Sequence, residues 1–216
     1  KFDHLVKQIN KIKSDNVQGE IYITDLIALF NKAGLSVGAV SAKQKHVIMG
    51  FNNKSVLKEM DAIARRLAYD QIKDIIAVAD PDDFFIEDDV IQDIIKMDKK
   101  GKPLDIKIGK GVHVGHGVKL NYDLTLRKNV FIEGNVCFGK NVTVGENVHL
   151  SCFPNQKLIL NDNVEILWGD IIKGNIKIGK NSRIESSVNI TGSDEHPTLI
   201  GEDVVIKGTS YVFGSI

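Results

Sequence analysis

An aliphatic or aromatic residue returns at every sixth position through the second half of the chain: Ile108, Val114, Leu120, Leu126, Ile132, Phe138, Val144 and Leu150. The series resumes at Leu160, Ile166, Ile172, Ile178, Ile184 and Ile190, and again at Ile200, Ile206 and Val212. A period of six matches neither an amphipathic helix nor a simple alternating strand, so it predicts a repeat architecture in which each unit is stabilised by its neighbours. Two interruptions, between Leu150 and Leu160 and between Ile190 and Ile200, each add four residues. Six hexads separate them, so both insertions, at 151–159 and 191–199, are expected to leave the same corner of the repeat two coils apart.

The first hundred residues follow a different pattern. Phe2, Leu5, Val6, Ile9 and Ile12 recur at helical spacing with lysines between, which predicts a helix over 2–13. A second helix is expected over 24–32, started by Thr24 and Asp25 and stopped by Gly34. Leu35 to Ser41 and His46 to Met49 read as short strands. A long helix opens after Asn53, with Val56, Leu57, Met60, Ile63, Leu67, Ile72 and Ile76 on its apolar side. Asp80-Pro81 marks a boundary, because the residue before proline is driven away from helical geometry. Phe85 to Val90 reads as one isolated hexapeptide, and 91–105 as a mostly solvated loop or short helix. The expected organisation is an α/β segment over 1–80, a linker and irregular first coil over 81–107, and the repeat domain over 108–216.

Within each hexad the ladder residue and the one four further on are small or aliphatic, as in Ile132 with Val136, Val144 with Val148 and Ile178 with Ser182, so both are expected to point inward. The fourth position is repeatedly Gly or Asn: Gly111, Gly117, Asn129, Asn135, Asn141, Asn147, Asn163, Asn175 and Asn181. These residue types enter the left-handed region with least strain, as a sharp corner requires. The pattern resembles the hexapeptide-repeat family. That resemblance implies a left-handed parallel β-helix with three hexads per coil, coils stacked roughly 4.8 Å apart, and assembly as a homotrimer. The outward residue before each ladder position reads His113, Phe131, His149, Ile171, Asn189 and Tyr211 on one face. A column of apolar and aromatic groups facing outward is the candidate interface. One conflict stays open: Asp170 falls at an inward position, so either Trp168-Gly169-Asp170 distorts the coil or the register slips there.

Composition narrows the partners. Lys plus Arg and Asp plus Glu number 28 each, so no global basic field points to nucleic acid or a membrane surface. There is no apolar run long enough to cross a bilayer, and Cys137 and Cys152 are the two cysteines, so a reducing cytoplasm and a small-molecule or protein partner are expected. Neither cysteine has metal-like spacing with the other or with a histidine. The chain opens on Lys1 and the ladder runs to Ile216 without a closing element, so a piece of a longer protein is expected.

Asn16-Val17-Gln18-Gly19-Glu20-Ile21-Tyr22-Ile23-Thr24-Asp25 and, further on, Gly50-Phe51-Asn52-Asn53-Lys54 carry a second resemblance. In order and spacing they resemble distal motifs of bacterial UDP-N-acetylglucosamine pyrophosphorylases, close to N-A-Q-G-E-Y-Y-L-T-D and G-V-N-N/D-R. Departures are Ile21 for an aromatic residue, Phe51 for Val and Lys54 for Arg. The resemblance covers about residues 5–90 and implies a sugar-1-phosphate nucleotidyltransferase using UTP, with Glu20 beside the amino sugar and Asn52 helping to hold Mg²⁺, a cation suited to an amide oxygen. From residue type alone, Glu20 is equally a solvated residue at a helix start and Asn52 a turn residue. The family's glycine-rich nucleotide loop, L-x-A-G-x-G-T-R-M, is absent from the sequence, and so is the G-H-x-x-Y-x-G-D pattern of the acetyltransferase segment in the bifunctional enzymes. No catalytic residue is assigned. Two further readings stand beside this one: a hexapeptide acyltransferase acting on acetyl-CoA, with His196 beside Asp194 and Glu195 as its general base, and a non-catalytic trimerisation module.

Overall fold

A computed structural model describes residues 2–41, 50 and 53–214. The chain divides into two compact units, Lys1–Met49 and Gly50–Ile216.

In the first unit, α1 spans Phe2–Ile9, a 3₁₀ turn spans Ile23–Asp25 and α2 spans Leu26–Lys32. The second helix starts two residues later than Thr24 suggests, because Ile23–Asp25 takes the tighter turn. It ends as expected, with Gly34 at φ +72°. The strand expected over Leu35 to Ser41 does not form. A strand is stable only when its amides and carbonyls find a partner, and no other strand exists among the described residues of this unit. The strand expected at His46 to Met49 lies outside the described residues.

The second unit opens with α3, Lys54–Ile72, capped by Asn53, whose Oδ1 accepts the Val56 amide at 3.0 Å. The helix stops at Ile72, short of the predicted Ile76, because the chain turns into a sheet at Ala77, whose amide donates to the Ile106 carbonyl at 2.9 Å. Strand pairing therefore begins at Ala77–Val78, ahead of the Asp80-Pro81 boundary read from the sequence. Between Phe84–Ile86 and the regular repeats lies α4, Asp88–Asp98. It is not a solvated insertion: Val90, Ile91 and Ile94 are buried, and they join Ile72, Ile76 and Leu104 in the same apolar cluster as the coil interior.

From there the chain winds into three parallel sheets, forming the left-handed parallel β-helix expected from the hexads. The first sheet stacks seven two-residue strands from Ala77–Val78 to Val205–Ile206, and the second stacks seven from Phe84–Ile86 to Tyr211–Phe213. The third has four, from Val136–Phe138 to Thr198–Ile200, preceded by a single bridge between Lys119 and Cys137. In the regular coils paired residues lie 18 apart in sequence, as His113 and Phe131 do, or 22 apart across an insertion, as His149 and Ile171 do; the two opening rungs, where Ala77 pairs with Lys107 and Phe85 with His113, span α4 and are wider. Both insertions leave the second sheet for the third at the same corner, with the tight turn after Ile171–Gly174 between them.

Every ladder residue from Ile108 to Val212 is buried except Leu120, which is half-buried. Leu120 sits where the third sheet has not yet begun and only the bridge beside it is formed. Asn129, Asn141, Asn147, Asn163 and Asn181 all have φ between 55° and 61°, as the corner reading requires. Asn135 and Asn175 do not: there the left-handed residue is the preceding glycine, Gly134 at φ +85° and Gly174 at φ +108°. At Gly174 the reason is contact, since a Cβ would lie 1.8 Å from the Gly192 carbonyl oxygen of the next coil.

Candidate functional site

The loop before α2 is organised by one asparagine. Asn16 Oδ1 accepts the amides of Gln18 and Glu20 at 3.1 and 3.2 Å, while its Nδ2 donates to the Glu20 carbonyl. Gly19 follows at φ +68°, with its amide on the Asn16 carbonyl at 3.0 Å. Asx-type bonding of this kind holds a loop without help from a sheet. The alternation Gln18, Glu20, Tyr22 then puts three polar side chains together: Tyr22 Oη lies 2.8 Å from Glu20 Oε2 and also bonds Gln18 Oε1. The Glu20 carboxylate, accepting that bond, raises the Tyr22 phenol above its ordinary pKa, with burial and Asp25 adding to the shift. The result is an exposed, acceptor-rich edge of the sort that takes hydroxyl and amide donors. Sequence reasoning named Glu20 but gave Tyr22 no role; the i, i+2, i+4 spacing of the three residues was the available signal.

Asn52 lies outside the described residues. Among the described residues no group of three or more His, Cys, Asp and Glu side chains is placed to hold a metal ion.

On the second sheet the outward column is brought together rung by rung. His113 pairs with Phe131, Phe131 with His149, His149 with Ile171, Ile171 with Asn189 and Asn189 with Tyr211. One more rung precedes them: Phe85, beside His113. The Phe85 and His113 rings stack at 4.6 Å and 14°, His113 and Phe131 at 4.5 Å and 10°, and Phe131 and His149 at 4.7 Å and 51°. Stacked aromatic rings add to the sheet beyond the area they bury. Burial holds the His149 imidazole below its usual pKa, with Lys173 acting the same way against Glu133, which favours a neutral ring in the stack. Ile171 is 41% and Tyr211 68% exposed, so the column is an open apolar surface.

The two insertions close on themselves. Phe153 and Gln156 exchange bonds in the first, the Phe153 amide to Gln156 Oε1 at 3.2 Å and the Gln156 amide to the Phe153 carbonyl at 3.0 Å. In the second, the His196 amide donates to Ser193 Oγ at 2.9 Å, the Ser193 amide donates to the His196 carbonyl at 3.0 Å, and the His196 ring meets Phe213 edge-on at 6.1 Å. Among the described residues His196 has no ion pair with Asp194 or Glu195, the orienting contact a general base needs.

Asp170 is fully buried and the register around it is unbroken, with Ile166 opposite Ile184 and Ile171 opposite Asn189. The open conflict is thereby resolved in favour of an inward carboxylate, reached through a regular corner at Gly169, φ +74°. Cys137 and Cys152 are free thiols, and burial raises the Cys152 thiol.

No family model matches the chain. Curated proteins named Bifunctional protein GlmU do: that of Lactobacillus gasseri is 33% identical over 87 residues, 40% of this chain and 19% of the relative. Those of Acetivibrio thermocellus and Streptococcus agalactiae are each 32% identical over 87 residues, with the same coverage. The match spans about a fifth of these relatives' own length. The chain is thus similar, over two fifths of its length, to proteins named Bifunctional protein GlmU, in agreement with the resemblance read from its motifs and with its hexapeptide β-helix.

Proposed function

We propose that this chain contributes to a sugar-1-phosphate nucleotidyltransferase that converts UTP and N-acetylglucosamine-1-phosphate to UDP-N-acetylglucosamine and pyrophosphate. The observation that carries the reading is the loop at Gln18, Glu20 and Tyr22, ordered by Asn16, in a chain similar to proteins named Bifunctional protein GlmU. In the reaction, a phosphate oxygen of the sugar phosphate attacks the α-phosphorus of UTP. The bond from that phosphorus to the bridging oxygen breaks, and pyrophosphate leaves with the electron pair. Catalysis of this kind is mostly positioning. Glu20 accepts a hydroxyl or amide donor of the amino sugar, and Tyr22 fixes the carboxylate that does so. Mg²⁺, with Asn52 among its ligands, supplies charge neutralisation when bound. The groups that cradle the triphosphate belong to a segment this sequence does not contain.

In this reading the β-helix is a scaffold that joins copies of the chain, as a homotrimer, through the column from His113 to Tyr211. Support comes from the exposure of Ile171 and Tyr211 beside stacked rings. Among the described residues no helix is long and apolar enough to cross a membrane, and the small-molecule substrates point to the cytoplasm.

The test is pyrophosphate release by the intact protein given UTP, N-acetylglucosamine-1-phosphate and Mg²⁺. Product formation supports the reading. Binding of acetyl-CoA with no uridylyl transfer favours the acyltransferase, and assembly without either activity favours a trimerisation module.

A further inference from the structure

A cavity of about 560 Å³ opens beneath the first rung of the second sheet, between α3 and the strand Phe84–Ile86. Small-molecule sites commonly enclose roughly 300–1,000 Å³. Its floor is apolar, with Ala64, Leu67 and Ala68 from α3 facing Ile86 and Ile91. The Phe85 ring, 44% exposed, lines it as well. One face of that ring is taken by His113 at 4.6 Å. The strand carrying Phe85 is the last in its sheet, and among the described residues no second ring stacks on Phe85. A column of flat rings therefore ends at a cavity large enough for another.

The charges lining the cavity are biased. Asp61, Asp83 and Asp88 line it, against Arg65 as the one lysine or arginine. Arg65 is already engaged, by the Asp61 carboxylate and the Asp82 carbonyl. Asp83 shares Lys110, at 3.8 Å, with Asp80, and Asp88 has no ion pair among the described residues. Asp88 lies in the first turn of α4. A ring seated on Phe85 would meet an apolar floor and a negative rim, which selects a cation over a neutral or acidic ring.

We infer that this cavity binds a small planar cation, of the aromatic amidine or protonated heterocycle class, which adds a ring to the Phe85–His113–Phe131 stack and turns its charge toward Asp83 and Asp88. The site lies wholly within Gly50–Ile216 and does not rest on uridylyl transfer.

Benzamidine, titrated into the chain while the ring protons of Phe85 and His113 are followed by NMR, tests it. Saturable chemical-shift changes are expected with benzamidine, and none with benzoate or with cyclohexanecarboxamidine, which lack the positive charge and the flat ring in turn. Phe85→Leu, at a half-exposed position, is expected to abolish the shifts at His113. Asp88→Asn is expected to weaken binding about tenfold, the scale of one charge-assisted contact. Absence of saturable shifts, equal response to benzoate or to the saturated amidine, or full binding by Phe85→Leu would each overturn the assignment.

Discussion

Val188 donates its backbone amide to Oδ1 of Asp170 across 2.7 Å inside the coil, leaving Asp170 Oδ2 buried with no partner among the described residues. Removal from water raises the Asp170 pKa to about 6, and the amides of Val188 and Ser187 offset only part of that. Between the ordinary carboxylate pKa and about 6 the folded state therefore holds a proton that the unfolded chain has already released. Stability from this group is fully present below the ordinary carboxylate pKa and is lost as pH rises through about 6. A shift of this size corresponds to a loss on the order of 3 kcal/mol. Asp170→Asn keeps an acceptor for Val188 and cannot ionise. Urea denaturation from pH 4 to 8 should show the variant gaining on the parent as pH rises, with the difference levelling off above pH 7; parallel pH profiles would contradict this.

The corners make a sharper prediction. Asn181 stands at φ +57° in a run of side-chain bonds, accepting from Asn163 at 2.8 Å and donating to Asp203 at 3.0 Å. Asn181→Ala places a Cβ residue in the left-handed region and loses both bonds, whereas Asn181→Gly loses only the bonds. The alanine variant should be less stable than the glycine variant by about 1 kcal/mol, read from denaturation midpoints.

Gly174 should tolerate nothing larger. A Cβ there runs into the Gly192 carbonyl oxygen of the next coil, which is backbone and cannot step aside. Gly174→Ala should lower stability by about 3 kcal/mol or more, and a thermal scan within a degree or two of the parent would refute the geometry.

These corners also show how far the sequence could be read. The period of six gave the inward set, because alternation and corners are local and each hexad restates them; even Asp170 followed the rule that its charge argued against. Asn135 and Asn175 misled, since the left-handed residue shifted to Gly134 and Gly174 where coil meets coil, a tertiary contact invisible in one hexad. The Met97-Asp98-Lys99-Lys100 run left a solvated loop and a short helix both open for 91–105 and hid the burial of α4, although Val90, Ile91 and Ile94 lie close enough along a helix to share one buried face. In the candidate site Glu20 was legible from its motif, while Tyr22 emerged only once Asn16 had folded the loop back and brought hydroxyl to carboxylate.

On the proposed reading the ring column joins copies of the chain. Phe131→Glu with Tyr211→Lys puts two charges on the outward face of the second sheet and leaves the inward ladder untouched. Sedimentation velocity should show weakened self-association with unchanged secondary structure; assembly equal to the parent would remove the column from the interface.

The most direct test of the account is the kinetics of Glu20→Gln in the intact protein, with UTP and N-acetylglucosamine-1-phosphate varied in turn. A fall of about tenfold or more in kcat/KM for the sugar phosphate is expected, consistent with the loss of one charge-assisted contact, with an unchanged KM for UTP. Uridylyl transfer at the parental rate, or an equal loss toward both substrates, would contradict it.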